Sequence, residues 1–496
     1  MSKEAFLGID IGTSGVKILV VEKTGNIIAN HTEPLGIIIK KPGWAEQKPD
    51  DWWEATKNGL KFILNSLKPK NYKISSIGLS GQMHSFVGLN SKDQPVYNAI
   101  LWNDGRTHEE CKFIKEQTGS MLGEITGNPP LEGFTAPKML WLKKHEPKSY
   151  SKITTVMMPK DYVRFMLTGE KFAEPTDASG TLLYDIHKNK WSKKLGDVLG
   201  IDISLFPKII NSTAIAGKLR GKIASELGLN KNIPIIAGGA DNACASIGAG
   251  IIQEGSLMLT VGTSGAVVAP TKNPEYDPML RVHLMRHVLE NTWYKMGVIL
   301  SAGAALDWWK KVSGNENFRN LIEESSTKLD ALNQILFLPY LTGERTPHAN
   351  PNARGVFFGL NSKTSRGDLT FAVLQGIALA LKDSLNLIYE NKTNINQAVL
   401  VGGGAKSRKW QQIISDALQL KLNLIGESEG ASLGAAMLAS CESKKYYRSL
   451  NEVITEWISV KGYIEPDHKK SDYYDELHDK YKNLYLSLVT QFQNLK

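Results

Sequence analysis

Short apolar runs alternate along this chain with longer segments whose apolar residues recur every three or four positions. The short runs are typical of buried strands, and the longer segments are typical of helices that bury one face. In the first half, the pattern predicts strands at residues 5–11, 16–22, 27–35, 74–79 and 233–237. It also predicts helices at residues 50–67 and from Asp241 onward. Strands that alternate with helices favour the α/β class.

The second half of the chain repeats this alternation. It predicts strands at residues 256–262, 265–269, 293–300 and 398–401, and helices from Ser301 and at 368–389, 407–419 and about 470–494. One stripe of the last helix holds Leu477, Tyr481, Leu484, Leu488 and Phe492. Such a stripe favours a helix that docks on a lobe over one that binds a membrane.

The tetrapeptide Gly-Thr-Ser-Gly occurs at residues 12–15 and again at residues 262–265, each time directly after a predicted strand. Backbone amides and hydroxyls in such a turn form a small concavity that suits phosphate oxygens. Two unrelated hairpin turns would give the same tetrapeptide, but both copies also run on into a further apolar stretch. The repeat predicts two similar lobes, residues 1–247 and 248–496, that hold one polyphosphate between them.

Composition and charge narrow the class of protein. The chain is 42% hydrophobic and 22% charged, which is typical of a soluble globular protein. Its net charge of +9 comes without a dense basic block, so small anionic ligands are favoured over nucleic acid. The cysteines Cys111, Cys244 and Cys441 are isolated, which indicates neither a disulfide framework nor a zinc site. Since neither a signal peptide nor a membrane span is predicted, we expect a cytoplasmic protein.

Asp10 ends the first strand, immediately before the first Gly-Thr-Ser-Gly turn. A carboxylate beside a phosphate is repelled by it unless a cation lies between them, so Asp10 is a candidate Mg²⁺ ligand, directly or through water. Its alternative role is to accept bonds from turn amides. Lys17, on the following strand, either neutralises phosphate charge or is solvated.

Asp241 follows an apolar strand and two glycines, and it begins a predicted helix. Aspartate is a preferred helix cap. The two glycines nevertheless leave room for a ligand to approach the backbone closely, and a carboxylate at a lobe junction can accept the proton of a hydroxyl that attacks phosphorus. The residues alone leave both roles open.

Several polar or glycine-rich segments also follow predicted strand ends. Three glycines at residues 402–404 let a flat ring or a phosphate approach, although they lack the dinucleotide-binding spacing. The clusters at residues 82–84 and 102–106 suit a polyol or a structural loop equally. No second His or Cys stands at ligand spacing from His84, so zinc is not expected. Residues 343–348 form a charged loop with no assigned chemistry.

Taken together, these segments resemble the FGGY family of carbohydrate kinases over nearly the whole chain. The matching segments are residues 10–17, 81–84, 101–106, 133–138 with Trp141, 237–242, 337–341, 343–348 and 355–360. Within the family, the chain is most similar to the members that phosphorylate xylulose. The resemblance implies a duplicated, two-lobed actin/hexokinase-like (ribonuclease H-like) ATPase fold. Sugar would lie mainly on the first lobe and ATP mainly against the second.

The resemblance also implies roles for individual residues, with Asp241 as catalytic base and Asp10 as the carboxylate associated with Mg²⁺. Candidate sugar-binding residues are Met83, His84 and Asn242 from the family pattern, joined by Gln82, Trp102 and Asn103 from the polar clusters. Candidate phosphate and nucleotide residues are Thr13, Gly262, Thr263, Gly303, Gly403 and Gly404 from the family pattern, joined by Gly12, Ser14, Lys17 and Ser407.

The implied reaction transfers the γ-phosphoryl group of ATP to D-xylulose, giving ADP and D-xylulose 5-phosphate. Ser85 stands where these kinases usually have glycine, and Ser407 stands where the adenosine-side turn often has asparagine. The alternatives are a kinase for ribulose or another polyol, and a non-catalytic actin-like ATP-binding protein. Glycerol is disfavoured, because glycerol kinases carry an Arg-Glu pair near residues 82–84. The expected partners are a small sugar and ATP, without nucleic acid or membrane, and the sequence allows a homodimer.

Overall fold

The computed structural model describes residues 3–68, 71–314, 317–325, 334–389, 395, 397–426, 429–442 and 446–495. Two mixed β-sheets form its centre, one from strands of the first half of the chain and one from strands of the second half. Helices cover both faces of the first sheet, and the nucleotide-sized cavity described below opens beside the second.

The first sheet contains β1 (Lys3–Ile11), β2 (Gly15–Glu22), β3 (Ile27–Pro34), β5 (Tyr72–Gly81), β11 (Ile215–Lys218), β12 (Pro234–Ile236) and β13 (Gly239–Ala240). Its strand order is β11-β12-β5-β1-β2-β3, and β13 also pairs with β5. Three short ladders join β4 (Glu46–Gln47) to β7 (Ala99–Ile100), β6 (Val87–Leu89) to β8 (Thr155–Met157), and β9 (Tyr184–Asp185) to β10 (Lys190–Trp191).

The helices of the first half are α1 (Pro49–Leu67), α2 (His108–Thr118), α3 (Met121–Thr126), α4 (Thr135–His145), α5 (Pro147–Tyr150), α6 (Pro159–Thr168), α7 (Pro175–Ser179), α8 (Lys193–Leu199), α9 (Gly221–Leu227) and α10 (Asp241–Gly248). Proline stands in the first turn of α1, α5, α6 and α7. Proline suits this place because the first amides of a helix have no partner within the helix.

The second sheet contains β14 (Ser256–Val261), β15 (Gly265–Thr271), β16 (His283–Arg286), β17 (Trp293–Ile299), β20 (Gln397–Gly402), β21 (Lys421–Ile425) and β22 (Val460–Ile464). Its order is β16-β17-β15-β14-β20-β21-β22, and β18 (Leu336–Leu338) pairs separately with β19 (Val356–Phe358). The helices are α11 (Gly303–Val312), α12 (Phe318–Glu324), α13 (Arg366–Tyr389), α14 (Arg408–Leu418), α15 (Ala431–Cys441), α16 (Leu450–Trp457) and α17 (Ser471–Asn494).

The first strand is buried on both faces because each face carries its own helical layer. Leu7 and Ile9 belong to the apolar cluster that contains Trp52 of α1. Phe6 faces the other way and belongs to the cluster that contains Met437 of α15. Successive side chains of a strand point to opposite faces, so one continuous apolar run serves both layers.

Helix α15 comes from the second half of the chain, yet it packs directly on β1 and β5 of the first sheet. A Cβ added to Gly8 would lie 2.0 Å from the carbonyl oxygen of Ser432, and one added to Gly78 would lie 1.9 Å from that of Ala435. Glycine is required at both strand positions because the helix backbone approaches so closely. The division at residues 247 and 248 assigned this helix to the second lobe, whereas its packing completes the first.

Helix α13 packs on β15 and β17 of the second sheet, and α17 packs along α13 and α14. Within the described ranges, one helix, Arg366–Ile388, is long and apolar enough to cross a membrane, and 94% of its most apolar window is buried in the protein. Nε2 of His478 on α17 bonds to Oδ1 of Asp383 at 2.6 Å. Of the stripe predicted on the last helix, Leu477, Tyr481, Leu484 and Phe492 are buried in the apolar cluster that contains Leu374 of α13, and Leu488 packs against that cluster half-buried.

Candidate active site

Three strands of the first sheet end at one edge and bring two carboxylates to it. Asp10 of β1 lies opposite Ser80 of β5, and Gly239 of β13 lies opposite the same serine from the other side. These strands are parallel, so their carboxyl ends coincide. Asp241 follows β13 directly as the first residue of α10, and the two aspartates are therefore neighbours at this edge.

Both carboxylates have pKa values above the usual 3.8. Burial raises the pKa of Asp10 to about 6, against the nearby Ser80 hydroxyl and the charge of Lys17. Burial and then the charge of Asp10 raise the pKa of Asp241 to about 7, against a hydrogen bond from the backbone N–H of Asn242. Oδ1 of Asp10 is buried and has no hydrogen-bond partner in the described chain. An orphaned carboxylate oxygen beside a second carboxylate fits a hard cation such as Mg²⁺.

The described residues contain no group of three or more His, Cys, Asp or Glu side chains that could hold a metal ion. A cation between the two aspartates would therefore take its other ligands from water or from a bound phosphate. Mg²⁺ commonly binds in this way, through one or two carboxylates and substrate phosphates.

Thr13 joins the first Gly-Thr-Ser-Gly turn to the neighbouring polar segments. Its hydroxyl accepts a hydrogen bond from Nε1 of Trp102 at 2.9 Å and donates to Oε1 of Gln82 at 3.1 Å. Its carbonyl oxygen accepts from Nε2 of Gln47 at 2.7 Å. The backbone amides of Thr13 and Ser14 have no partner among the described residues. These contacts fix the turn and leave its amides available for a phosphate.

The sugar-site candidates gather beside Asp241. Nδ2 of Asn242 lies 3.8 Å from the sulfur of buried Met83, and the hydroxyl of Tyr294 lies 4.0 Å from it. His84 has a φ of 68°, in the left-handed region, and its Nδ1 bonds to the carbonyl oxygen of Gly180 at 2.9 Å. Burial lowers the pKa of His84 to about 3. His84 is therefore neutral near pH 7.

A buried lysine that the residue patterns did not single out supports this site. Nζ of Lys138, on α4, donates to the carbonyl oxygens of His84 at 3.1 Å and of Gly133 at 2.6 Å. Lys138 is fully buried, and burial lowers its pKa well below the usual value. The only sequence signal was its place in the family-like segment 133–138.

The structure does not bring every predicted site residue into this cluster. The side chain of Asn103 is exposed, whereas its neighbour Trp102 turns toward Thr13. Lys17 forms an ion pair with Glu429 from the second half of the chain, so its charge already has a partner. It still lies opposite Asp10 in the β1–β2 pairing.

A cavity of about 1040 Å³ brings together the nucleotide-site candidates of the second half. Those candidates are Gly262, Thr263, Gly303, Gly403, Gly404 and Ser407. The remaining wall includes the rings of Trp308 and Phe318 and the cations of Lys311, Arg319 and Arg408. A mixture of flat apolar groups and cations at this volume suits a nucleoside polyphosphate.

Glycines are required where the strands meet this cavity. A Cβ on Gly303 would lie 2.4 Å from the carbonyl oxygen of Gly262, and one on Gly404 would lie 2.7 Å from Cβ of Val261. The amides of Thr263 and Ser264 have no partner among the described residues, as in the first turn. Oγ of Ser407 already accepts a hydrogen bond from the backbone N–H of Trp410 at 3.3 Å, as the cap of α14.

Comparison with known proteins gives consistent matches along the chain. Residues 5–248 match the N-terminal domain of the FGGY family of carbohydrate kinases, and residues 257–442 match its C-terminal domain. The chain is 38% identical to the xylulose kinase of Staphylococcus xylosus, over 97% of this chain and 99% of that protein. It is also 38% identical to the xylulose kinase of Bacillus subtilis (strain 168), over 97% of this chain and 96% of that protein.

Solved structures agree with this similarity. The crystal structure of a xyloylose kinase from Brucella ovis superposes with a TM-score of 0.93 at 35% identity, covering 98% of this chain and all of that one. The ligand-bound xylulose kinase from Lactobacillus acidophilus gives a TM-score of 0.93 at 25% identity, with 99% and 100% coverage. The predicted two-lobed α/β fold is confirmed.

Proposed function

Since the chain belongs to the FGGY family of carbohydrate kinases, we propose that it transfers the γ-phosphoryl group of ATP to D-xylulose. The products would be D-xylulose 5-phosphate and ADP. Full-length similarity to xylulose kinases supports the choice of sugar. The observation that carries the chemistry is the pair Asp10 and Asp241, which lie where the first-lobe polar cluster meets its phosphate turn.

Asp241 is the proposed general base. Its carboxylate would accept the proton of the terminal sugar hydroxyl while that oxygen attacks the γ-phosphorus. A base with a pKa of about 7 is poised for this at neutral pH, and general base catalysis contributes about 10²- to 10⁴-fold. The backbone N–H of Asn242, 2.6 Å from Oδ1, favours the ionised form and fixes the carboxylate.

Asp10 would hold Mg²⁺, together with Asp241 or with water. When bound, Mg²⁺ neutralises phosphate charge during transfer. The free amides of the two Gly-Thr-Ser-Gly turns would bind phosphoryl oxygens from opposite sides, and most of the catalysis would be positioning and charge stabilisation. Closure of the lobes would exclude water, which competes with the sugar for the phosphoryl group.

An assay of sugar-dependent ADP release tests the proposal. The panel is D-xylulose, D-ribulose, glycerol and gluconate, since a gluconate kinase from Lactobacillus acidophilus shares the fold at a TM-score of 0.93. We expect kcat/KM to be highest for D-xylulose by at least about tenfold. Equal values for D-xylulose and D-ribulose would contradict the narrow substrate assignment. ATP binding without sugar-dependent ADP release would instead favour an actin-like binding protein.

The setting of the enzyme is proposed on the same basis. We place it in the cytoplasm, where ATP and sugar are available, without nucleic-acid or membrane partners. We propose lobes at residues 1–247 and 248–496, with residues 431–441 completing the first. Light scattering at micromolar concentration decides between a monomer and the homodimer that the sequence allows.

A further inference from the structure

The charged loop at residues 343–348 is fixed to the second sheet on both sides of one arginine. Oε1 of Glu344 accepts hydrogen bonds from the backbone N–H groups of Leu300 and Arg345, both at 2.8 Å. The hydroxyl of Thr346 accepts from the N–H of Val298 at 3.0 Å. Because its neighbours on either side are anchored at the end of β17, the backbone of Arg345 is held in place.

The side chain of Arg345 leaves the second lobe and reaches the sugar-site residues of the first. A Cβ built on Gly133 would lie 3.6 Å from Nη2 of Arg345 and 2.7 Å from the carbonyl oxygen of Trp102. Burial lowers the pKa of His84 most, and the charges of Lys138, His283 and then Arg345 lower it further, which places Arg345 near His84. The guanidinium therefore lies on the His84 side of the cluster, whereas Asp241 lies on the Asn242 side.

Within the described ranges, the guanidinium of Arg345 makes no hydrogen bond, and no carboxylate lies within 4.0 Å of it. The residue is half-buried. Arg106 shows the usual arrangement, since its guanidinium bonds to Glu46 at 2.9 Å and to Asp104 at 2.7 Å. Burial lowers the pKa of Arg345, while the charges of Glu132 and Glu344 raise it from more than 4.0 Å away. The N–H donors of Arg345 therefore remain available to a ligand that supplies acceptors.

We propose that Arg345 is a specificity-determining residue that binds the oxygens at the carbonyl end of the sugar from across the lobe gap. This inference rests on the proposed function. Asp241 takes the hydroxyl to be phosphorylated, so the far end of an extended ketose lies toward His84 and Arg345. A guanidinium offers only donors, in a planar fork that matches two neighbouring oxygens such as the C1 hydroxyl and the C2 carbonyl of a ketose. An alditol lacks that carbonyl acceptor.

The test of this inference measures sugar binding, whereas the test of the proposed function measures turnover, so the two can fail separately. Dissociation constants for D-xylulose and for xylitol, its alditol, are measured by calorimetry on wild type, Arg345→Gln and Arg345→Lys. We expect wild type to prefer xylulose by at least about tenfold, since a hydrogen bond from a charged donor is lost with the alditol. Arg345→Gln is expected to weaken xylulose binding about 10- to 100-fold while the xylulose-to-xylitol preference approaches one. Arg345→Lys keeps the charge without the fork and should fall between the two.

Arg354→Gln is the matched control, because Arg354 is an exposed arginine that bonds, among the described residues, to the carbonyl oxygens of Pro351 and Ala353 in its own loop. ATP affinity should stay within about twofold in every variant. A wild-type preference near one, or an unchanged preference in Arg345→Gln, overturns the inference. If Arg345→Gln fails to fold, Arg345→Lys decides by the same preference. Failure of wild type to phosphorylate xylulose would overturn the proposed function instead, and the panel of sugars detects that separately.

Discussion

The two Gly-Thr-Ser-Gly turns have the same sequence but different hairpin geometry. In the first hairpin, Ile11 pairs with Val16, and the N–H of Gly12 bonds to the carbonyl oxygen of Gly15. In the second, Val261 pairs with Gly265, one position earlier relative to the repeat. The second loop is thus one residue shorter, and a register slip of one residue changes which side chains face one another.

The flanks of the two turns differ in chemistry as well. Asp10 pairs with Lys17, whereas the matching position in the second hairpin, Thr260, pairs with Ala266. The parallel strand beside the first turn continues into Gln82, Met83 and His84, and the one beside the second continues into glycines. The two lobes share the same strand arrangement around this turn. In the first lobe the flanking positions carry polar and charged side chains, and in the second lobe they carry small residues that leave room for a ligand.

Removing the proposed base, which the first lobe supplies, should have the largest effect. We expect Asp241→Ala to lower kcat by about 10²- to 10⁴-fold or more, because the acceptor hydroxyl then has no base. ATP affinity should change by less than about twofold. Steady-state kinetics and ATP titration measure both values. Asp197→Ala, which removes an exposed carboxylate, is the control, and a near-normal kcat in Asp241→Ala would show that the base is misassigned.

The next largest effect is expected when Asp10, beside the first turn, is replaced by threonine, the residue at the matching position 260 beside the second turn. We expect Asp10→Thr to raise the Mg²⁺ concentration that gives half-maximal activity by about 10- to 100-fold, because one carboxylate ligand is lost. The reciprocal change, Thr260→Asp, should not restore activity in that variant. Activity measured across a Mg²⁺ titration gives the shift. An unchanged titration midpoint in Asp10→Thr would remove Asp10 from the metal site.

Adding a methyl group at Gly303, beside the second turn, should weaken the binding of ATP and leave the binding of the sugar unchanged. In Gly303→Ala the new Cβ would meet the carbonyl oxygen of Gly262 at 2.4 Å, so the loop must shift away. We expect KM for ATP to rise about tenfold, with KM for the sugar nearly unchanged. Gly36→Ala is the control, since nothing lies within 4 Å of its added Cβ. A rise confined to the sugar KM would contradict the assignment of the cavity.

The smallest expected effect is a shift in the pH profile. Asp241 is protonated below its pKa of about 7, so kcat/KM for the sugar should rise with pH and be half-maximal near that value. In Asp10→Thr the like charge is absent, and the midpoint should move to lower pH. A midpoint of the kcat/KM profile that Asp10→Thr leaves unchanged would mean that the two carboxylates do not interact.

The same two groups affect folding stability. Both aspartates have folded-state pKa values above 3.8, so the free energy of unfolding of the ligand-free protein should fall as pH rises from about 4 to 7.

The apolar pattern predicted the fold well where a segment buries one face or forms a strand. It predicted β1, β2 and α13 because their apolar runs or stripes are long. It did not predict α15, whose residues from 431 to 440 are all buried, because a helix covered on every side shows no polar face and hence no period.

Site residues were predictable when the chemistry follows a strand end in the chain. Asp10 and Asp241 were predicted in this way, and the structure brings them to one sheet edge, while their roles stay predictions. The partner of Lys17 was not, because Glu429 lies far along the chain and meets it only through tertiary packing. Lys138 and Arg345 were missed for the same reason, since each acts on residues of another element. The exposed side chain of Asn103 shows that adjacency to Trp102 does not fix orientation.

The packing of α15 on the first sheet has a consequence for how the protein is made. Helix α15, which covers β1 and β5, begins at Ala431, whereas β1 begins at Lys3 and β5 at Tyr72. Until α15 has been synthesised, one face of the nascent first sheet, with Phe6 among its residues, lies open to water. A fragment ending near residue 247 lacks this helix and should therefore aggregate.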